Sequence, residues 1–329
     1  MITMCTWNLQ HLSPPSRGDH KTYTLAYRNQ QRHRARNEIT IEALKYILKY
    51  TGVDILVLQE VNSLDEKLVN CIQSTVYSLG YWFHYGPQMG TGSTMYTGTK
   101  ISSQSEFYPI IFKRNIFCSK GELLHPPKTN VESFHAMSLR PSRKSELTER
   151  EWVFHRPLVL YDIYMNVNNR LMQGRYNFLL AVIHTSPGRE DVTSPAAVTM
   201  VRRKAIGQKK WIIAGDWYLQ PDEKVSIQQG KMTWDKALEV LHATRLAPNE
   251  KTNFSHNTGK SGMGGSKVAD YFVCHEDIGG KASVVPAPSK LQKGANLLSL
   301  HNKNSTEVGR EWFDSGLSDH IPVFAALFW

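Results

Sequence analysis

Several polar residues stand at the ends of apolar runs. Asn8 follows Trp7 in TMCTWNLQ (3–10), Glu60 closes DILVLQE and His184 closes LLAVIH. Asp216 closes WIIAGD, Asp270 opens YFVC, and Asp319 and His320 precede IPVFAALF. A polar group buried without a partner costs several kcal/mol. One such residue is ordinarily a cap or a satisfied core group. The repetition predicts that the strand tips converge on one polar site.

The residue types at those tips suit phosphate chemistry. Asn8, Glu60, Asp216 and Asp319 offer hard oxygen ligands for Mg²⁺, Mn²⁺ or Ca²⁺. No HExxH motif and no CxxC pair is present, so neither zinc-protease chemistry nor a zinc site is indicated. His184 and His320 could transfer protons or hydrogen-bond a phosphate near neutral pH. Asp270 could fix one imidazole in its working tautomer. A cation beside a His–Asp pair that activates water describes a phosphoester hydrolase.

The elements that must position these groups are short strands alternating with amphipathic helices. DILVLQEV (54–61) is continuously apolar, the pattern of a strand covered on both faces. EITIEALKYILKY (38–50) puts Ile41, Leu44, Ile47 and Leu48 on one helical face, and Gly52 supplies the stop. Ser63-Leu-Asp-Glu66 is a capping box opening a helix with Leu64, Leu68, Cys71 and Ile72 as its stripe. Thr193-Ser-Pro195 starts another, and a further helix runs from Thr233 through Leu241. Strands are expected at 108–112, 115–118, 156–165, 176–184, 211–216, 268–275 and 321–329. The pattern predicts an α/β sandwich, with strands in two sheets and helices outside. A single domain over 1–329 is expected, with insertions near 86–106, 137–151 and 279–317.

The 39 Lys and Arg outnumber the 29 Asp and Glu, giving a net charge of +10 that favours an anionic partner. Basic residues gather at 28–36, 139–144, 202–204 and 209–210. No apolar run approaches the roughly 20 residues of a membrane span. The first ten residues lack a basic region followed by an apolar one, so no signal peptide is expected, as for an intracellular protein or a mature secreted one. The four cysteines are expected as buried thiols.

The series WNLQ, LVLQEV, LLAVIHTSP, IIAGDW, ADYFV and SDHIPV, in that order between residues 3 and 328, resembles the DNase I-like endonuclease/exonuclease/phosphatase superfamily. RPLV (156–159) and the NLQ start look most like the branch of DNase I and the cytolethal distending toxin nuclease; ADYFVCH looks more like the abasic-site endonucleases. The resemblance implies a four-layer α/β/β/α sandwich of two mostly antiparallel sheets with outer helices. It also implies a metal-dependent nuclease acting on nucleic acid, DNA by preference, with Mg²⁺ or Mn²⁺/Ca²⁺ as cofactor. Phosphoinositide or sphingomyelin hydrolysis, or binding without catalysis, are the alternatives within the same fold, and a partner protein is compatible with the insertions.

Carried over residue by residue, Asn8 and Glu60 bind the metal, with Asp319 supporting it. His320, oriented by Asp270, activates water. His184 hydrogen-bonds the scissile phosphate or protonates the leaving group. Asp216 binds metal or orients the nucleophile, and Arg156 grips a backbone phosphate. The resembled pattern has asparagine two places after GD, where this chain has Tyr218, a phenol in place of an amide. The acidic partner of His184 is a second departure from the resembled pattern: 86–106 offers only Glu106, which lies too far along the chain to align with it.

Overall fold

The computed structural model describes residues 1–12, 30–62, 66–87, 89–90, 105–124, 158–169, 172–185, 190–205, 210–227, 229–255, 264–286, 318 and 320–329. The strand Ile55–Asn62 shows how the layers arise. Its residues alternate between two apolar environments, and both are dry. Leu56 and Leu58 pack among helix residues such as Leu44, Ile47, Leu68 and Ile72, whereas Ile55 and Val57 face a second sheet. Lys210–Asp216 does the same from the other side: Trp211 and Ile213 face helices, Ile212 and Ala214 face the first sheet. Period-two alternation with apolar residues on both faces therefore produces three apolar layers between four structural ones. The sequence-based expectation of an α/β/β/α sandwich holds.

The first sheet runs in the order Gly279–Val284, Val323–Phe328, Ile2–Leu12, Ile55–Asn62, Ser105–Phe107 and Met89–Gly90, with Ile110–Lys113 and Tyr81–His84 continuing from Ile55–Asn62. The second runs Ala243–Leu246, Asp270–His275, Lys210–Asp216, Met172–His184, Leu158–Asn169 and Ile116–Cys118, with Glu122–Leu124 also on Leu158–Asn169. Each sheet contains one parallel pair among the described strands: Ile2–Leu12 with Ile55–Asn62, and Met172–His184 with Lys210–Asp216. Helices Gln30–Thr51 and Glu66–Ser78 cover the first sheet; Glu190–Lys204 and Trp234–Val240 cover the second. Among the described residues, no helix is long and apolar enough to cross a membrane.

Some expectations need correction. Gly279–Val284, assigned to an insertion, is a strand antiparallel to Val323–Phe328. Its glycines hide a weak strand signal but are required by contact: a Cβ on Gly279 would lie 2.5 Å from the Phe328 ring, and one on Gly280 the same distance from the Ala326 carbonyl oxygen. Cys71 is exposed, because the buried stripe of its helix follows Leu68, Ile72 and Val76; Cys5, Cys118 and Cys274 are buried thiols. The helix expected from Thr193 already begins at Glu190, and Pro195 lies inside it. Residues 91–104, 137–151 and 287–317 lie outside the described residues, as do Ser63, Leu64 and Asp65 of the expected capping box.

Candidate active site

Register brings the polar tips together. The parallel pairing of Met172–His184 with Lys210–Asp216 sets His184 directly beside Asp216, and the antiparallel pairing with Asp270–His275 sets Asp270 on the other side of Asp216. Three chemistry-bearing side chains therefore come from adjacent strands of one sheet. From the facing sheet come Asn8 and Glu60. Beyond Asn8 the register of Ile2–Leu12 against Ile55–Asn62 shifts, and Glu60 takes a positive φ of 54°. A non-glycine residue in that region carries backbone strain of the kind found at functional sites.

Asn8 joins the two sheets. Its Nδ2 donates to Glu60 Oε1 at 3.3 Å and to Asp216 Oδ2 at 3.1 Å. As a metal ligand it would use Oδ1, the other end of the amide. The Asn8 backbone is fixed from below, its carbonyl accepting from Ser318 Oγ at 2.6 Å; Ser318 Oγ in turn accepts from the His320 amide at 3.0 Å.

Two histidine–carboxylate pairs flank Asp216. His320 Nδ1 donates to Asp270 Oδ2 at 2.8 Å and turns Nε2 towards Asp216 Oδ2, 3.6 Å away. His184 Nδ1 donates to Glu106 Oε1 at 2.9 Å, and its Nε2 lies 3.8 Å from the same Asp216 oxygen and 3.1 Å from Glu60 Oε1. Both imidazoles are therefore held from behind by a carboxylate and face one centre. All of these groups are buried. Glu106, whose place in the chain does not align with the resembled pattern, is nevertheless the acid behind His184. It arrives on the short strand Ser105–Phe107, which pairs Glu106 with Asn62.

The electrostatics of this cluster are unfavourable by themselves. Burial pushes the Asp216 carboxyl well above the usual carboxylate range; Asp270 and Glu60 push it further, while a positive charge on His320, when that ring is protonated, and the Asn8 amide pull it back. Oδ1 of Asp216 and Oδ1 of Asp270 are buried and accept no hydrogen bond among the described residues. Ligand atoms of Asp216, Asp270 and His320 lie within 4.8 Å of one another. Converging buried carboxylates with unused oxygens fit a small divalent cation, which would neutralise charge and fill the open coordination.

Tyr218 reaches this centre. Its backbone also has a positive φ, 53°. The loop is rooted by Trp217, which is fully buried, stacks on Tyr271 with ring centroids 5.4 Å apart, and donates from Nε1 to the Tyr271 carbonyl at 3.1 Å. The Tyr218 ring stands edge-on to His320, and its hydroxyl lies 3.3 Å from His320 Nε2. An amide meets the same nitrogen from a residue that the strand-tip pattern does not mark: Asn253 Nδ2 is 2.7 Å from His320 Nε2. Asp319 and Arg156 lie outside the described residues.

No protein-family model and no curated protein matches the chain. Solved structures do. An endonuclease/exonuclease/phosphatase family protein from Leptotrichia buccalis superposes with a TM-score of 0.56 at 12% identity, covering 100% of both chains. A family member from Bacteroides thetaiotaomicron gives 0.52 at 14% identity, covering 100% of this chain and 95% of the other. A mannosyl-6-phosphatase from the same organism gives 0.52 at 12% identity with 100% coverage of both. The chain has the DNase I-like fold of the endonuclease/exonuclease/phosphatase proteins.

Proposed function

We propose that the protein is a divalent-cation-dependent phosphodiesterase that hydrolyses nucleic acid, with DNA the favoured substrate. The observation that carries this reading is the pair of carboxylate-backed imidazoles turned onto Asp216 Oδ2. Solved proteins of this fold include hydrolases of phosphate esters, one of them a mannosyl-6-phosphatase, which supports the reaction class. The net charge of +10 supports a polyanionic substrate, and Arg202, Arg203 and Lys204 form an exposed basic run at the end of the helix Glu190–Lys204.

In this reading Asp270 holds the proton of His320 at Nδ1, so the Nε2 lone pair takes a proton from the attacking water. His184, backed by Glu106, donates from Nε2 to the scissile phosphate or to the leaving oxygen. Asn8 sets the spacing of Glu60 and Asp216. Glu60, Asn8 and Asp216 would hold the cation, with Asp319 next to His320 in sequence as support. When bound, Mg²⁺ or Mn²⁺ supplies positive charge that stabilises the charge developing on the phosphoryl oxygens. Arg156 is assigned to a backbone phosphate and Tyr218 to the substrate side of His320.

The test is relaxation of supercoiled plasmid by the purified protein. Nicking is expected with Mg²⁺ or Mn²⁺ and is expected to stop on addition of EDTA. Nicking that persists in EDTA, or none with either cation, contradicts the proposal. Hydrolysis of a phosphoinositide or a sugar phosphate without plasmid nicking would keep the reaction class and replace the substrate.

A further inference from the structure

We propose that Asn253 and Tyr218 form a divided donor group that holds the attacking water, and the phosphoryl oxygen beside it, in front of His320. The inference rests on the phosphodiesterase reading above and assigns within it a catalytic residue, Asn253, that the strand-tip pattern does not contain.

The argument begins with the tautomer of His320. Asp270 Oδ2 accepts at 2.8 Å from Nδ1, so that nitrogen carries a proton, and the Asn253 amide nitrogen, which can only donate, lies 2.7 Å from Nε2, which makes Nε2 the acceptor. Chemistry can reach this imidazole only at Nε2. Two donors already converge there: Asn253 Nδ2 at 2.7 Å and the Tyr218 hydroxyl at 3.3 Å, themselves 3.3 Å apart. A base whose lone pair is occupied cannot take a proton. When water enters, the amide N–H must therefore move to another acceptor, and the oxygens nearest at hand are those of the water and the phosphoryl group. The same contact that caps the resting base places a donor where charge develops during attack.

The mounting of Asn253 supports a catalytic over a merely filling role. Its side chain is buried. Its backbone pairs with that of His320 in an isolated bridge. The preceding residue, Thr252, accepts at Oγ1 from the amides of Ala269 at 2.9 Å and Asp270 at 2.8 Å, and its carbonyl accepts from Ile321 at 2.8 Å. One short segment therefore fixes the amide, the base and the carboxylate that orients the base. Tyr218 completes the group from a different loop, at a positive φ that an asparagine adopts more readily than a tyrosine.

The test compares Asn253→Ala, Asn253→Asp and Tyr218→Phe with wild type in plasmid nicking with Mg²⁺. It also follows the ¹⁵N shift of His320 Nε2 in the protein without substrate. Asn253→Ala and Asn253→Asp are expected to lower kcat by about 10²–10³-fold with KM within a few-fold of wild type. Tyr218→Phe is expected to have the smaller effect, and the Nε2 shift is expected to move in both Asn253 variants. Asn253→Asp keeps the side-chain shape, so it carries the test if the alanine variant does not fold. Wild-type kcat in the Asn253 variants, a loss confined to KM, or an unmoved Nε2 shift would overturn the assignment while the phosphodiesterase reading stood. A wild-type protein that hydrolyses no phosphodiester overturns both.

Discussion

Replacing His320 with alanine is expected to slow plasmid nicking by about 10²–10⁴-fold, the range contributed by a positioned general base, in a protein that keeps a native circular dichroism spectrum. The expectation follows from how much of the structure is committed to this one ring. Asp270 fixes its tautomer at 2.8 Å. The backbone of His320 is held on both sides of its Cα: its amide donates to Ser318 Oγ, and its carbonyl accepts from Trp7 Nε1 at 3.2 Å. Ser318 also holds the Asn8 carbonyl, so the ring is referenced to the strand that carries the proposed cation ligand. These backbone bonds survive the substitution; only the imidazole and its contacts are lost. Circular dichroism verifies folding, and single-turnover nicking measures the chemical step. A variant within a few-fold of wild type would remove His320 from the chemistry.

The largest expected effect on stability belongs to Gly215→Ala. Gly215 has a φ of +146°, outside the range that side chains tolerate, and an added Cβ would lie 1.9 Å from the carbonyl oxygen of Ile183. That oxygen belongs to the neighbouring parallel strand, where Ile183 pairs with Gly215 and His184 with Asp216. It cannot retreat without separating the strands that align two site residues. Strain and overpacking together are expected to cost about 3 kcal/mol or more. Gly52→Ala is the matched control: its φ of +57° also disfavours a side chain, but nothing lies within 4 Å of the added Cβ, so the expected cost is nearer ~1 kcal/mol. Guanidinium unfolding of both variants measures the difference. Equal destabilisation would mean that close approach at Gly215 does not matter.

Much of this site was legible in the sequence because a buried strand end announces a polar residue. Asn8, Glu60, His184, Asp216, Asp270 and His320 each break an apolar run, and the structure gathers all six. Glu106 was visible only as the single acid between residues 86 and 106. Its strand is three residues long, too short for period-two alternation to register, and its partner is 78 positions away in sequence. Asn253 gave no signal, because an asparagine among polar loop residues reads as a turn former. Its role depends on a bridge to His320, a pairing between segments 67 residues apart. Tyr218 could be seen as a departure, but its consequence could not: the compensating amide comes from a different segment. The two-sheet sandwich with outer helices followed from the apolar patterning of strands and helices and its four layers from the family resemblance, whereas Gly279–Val284 was hidden because its glycines serve contact with the Phe328 ring and the Ala326 carbonyl.

The central claim is that Glu60 and Asp216 share a cation beside the two imidazoles. Anomalous diffraction at the manganese edge, from crystals of the protein soaked in Mn²⁺, tests it most directly. The account predicts a peak within bonding distance of the Glu60 carboxylate, on the Asp216 side, that is lost in Glu60→Gln. A peak only at surface carboxylates, or one that persists at full height in Glu60→Gln, would contradict it.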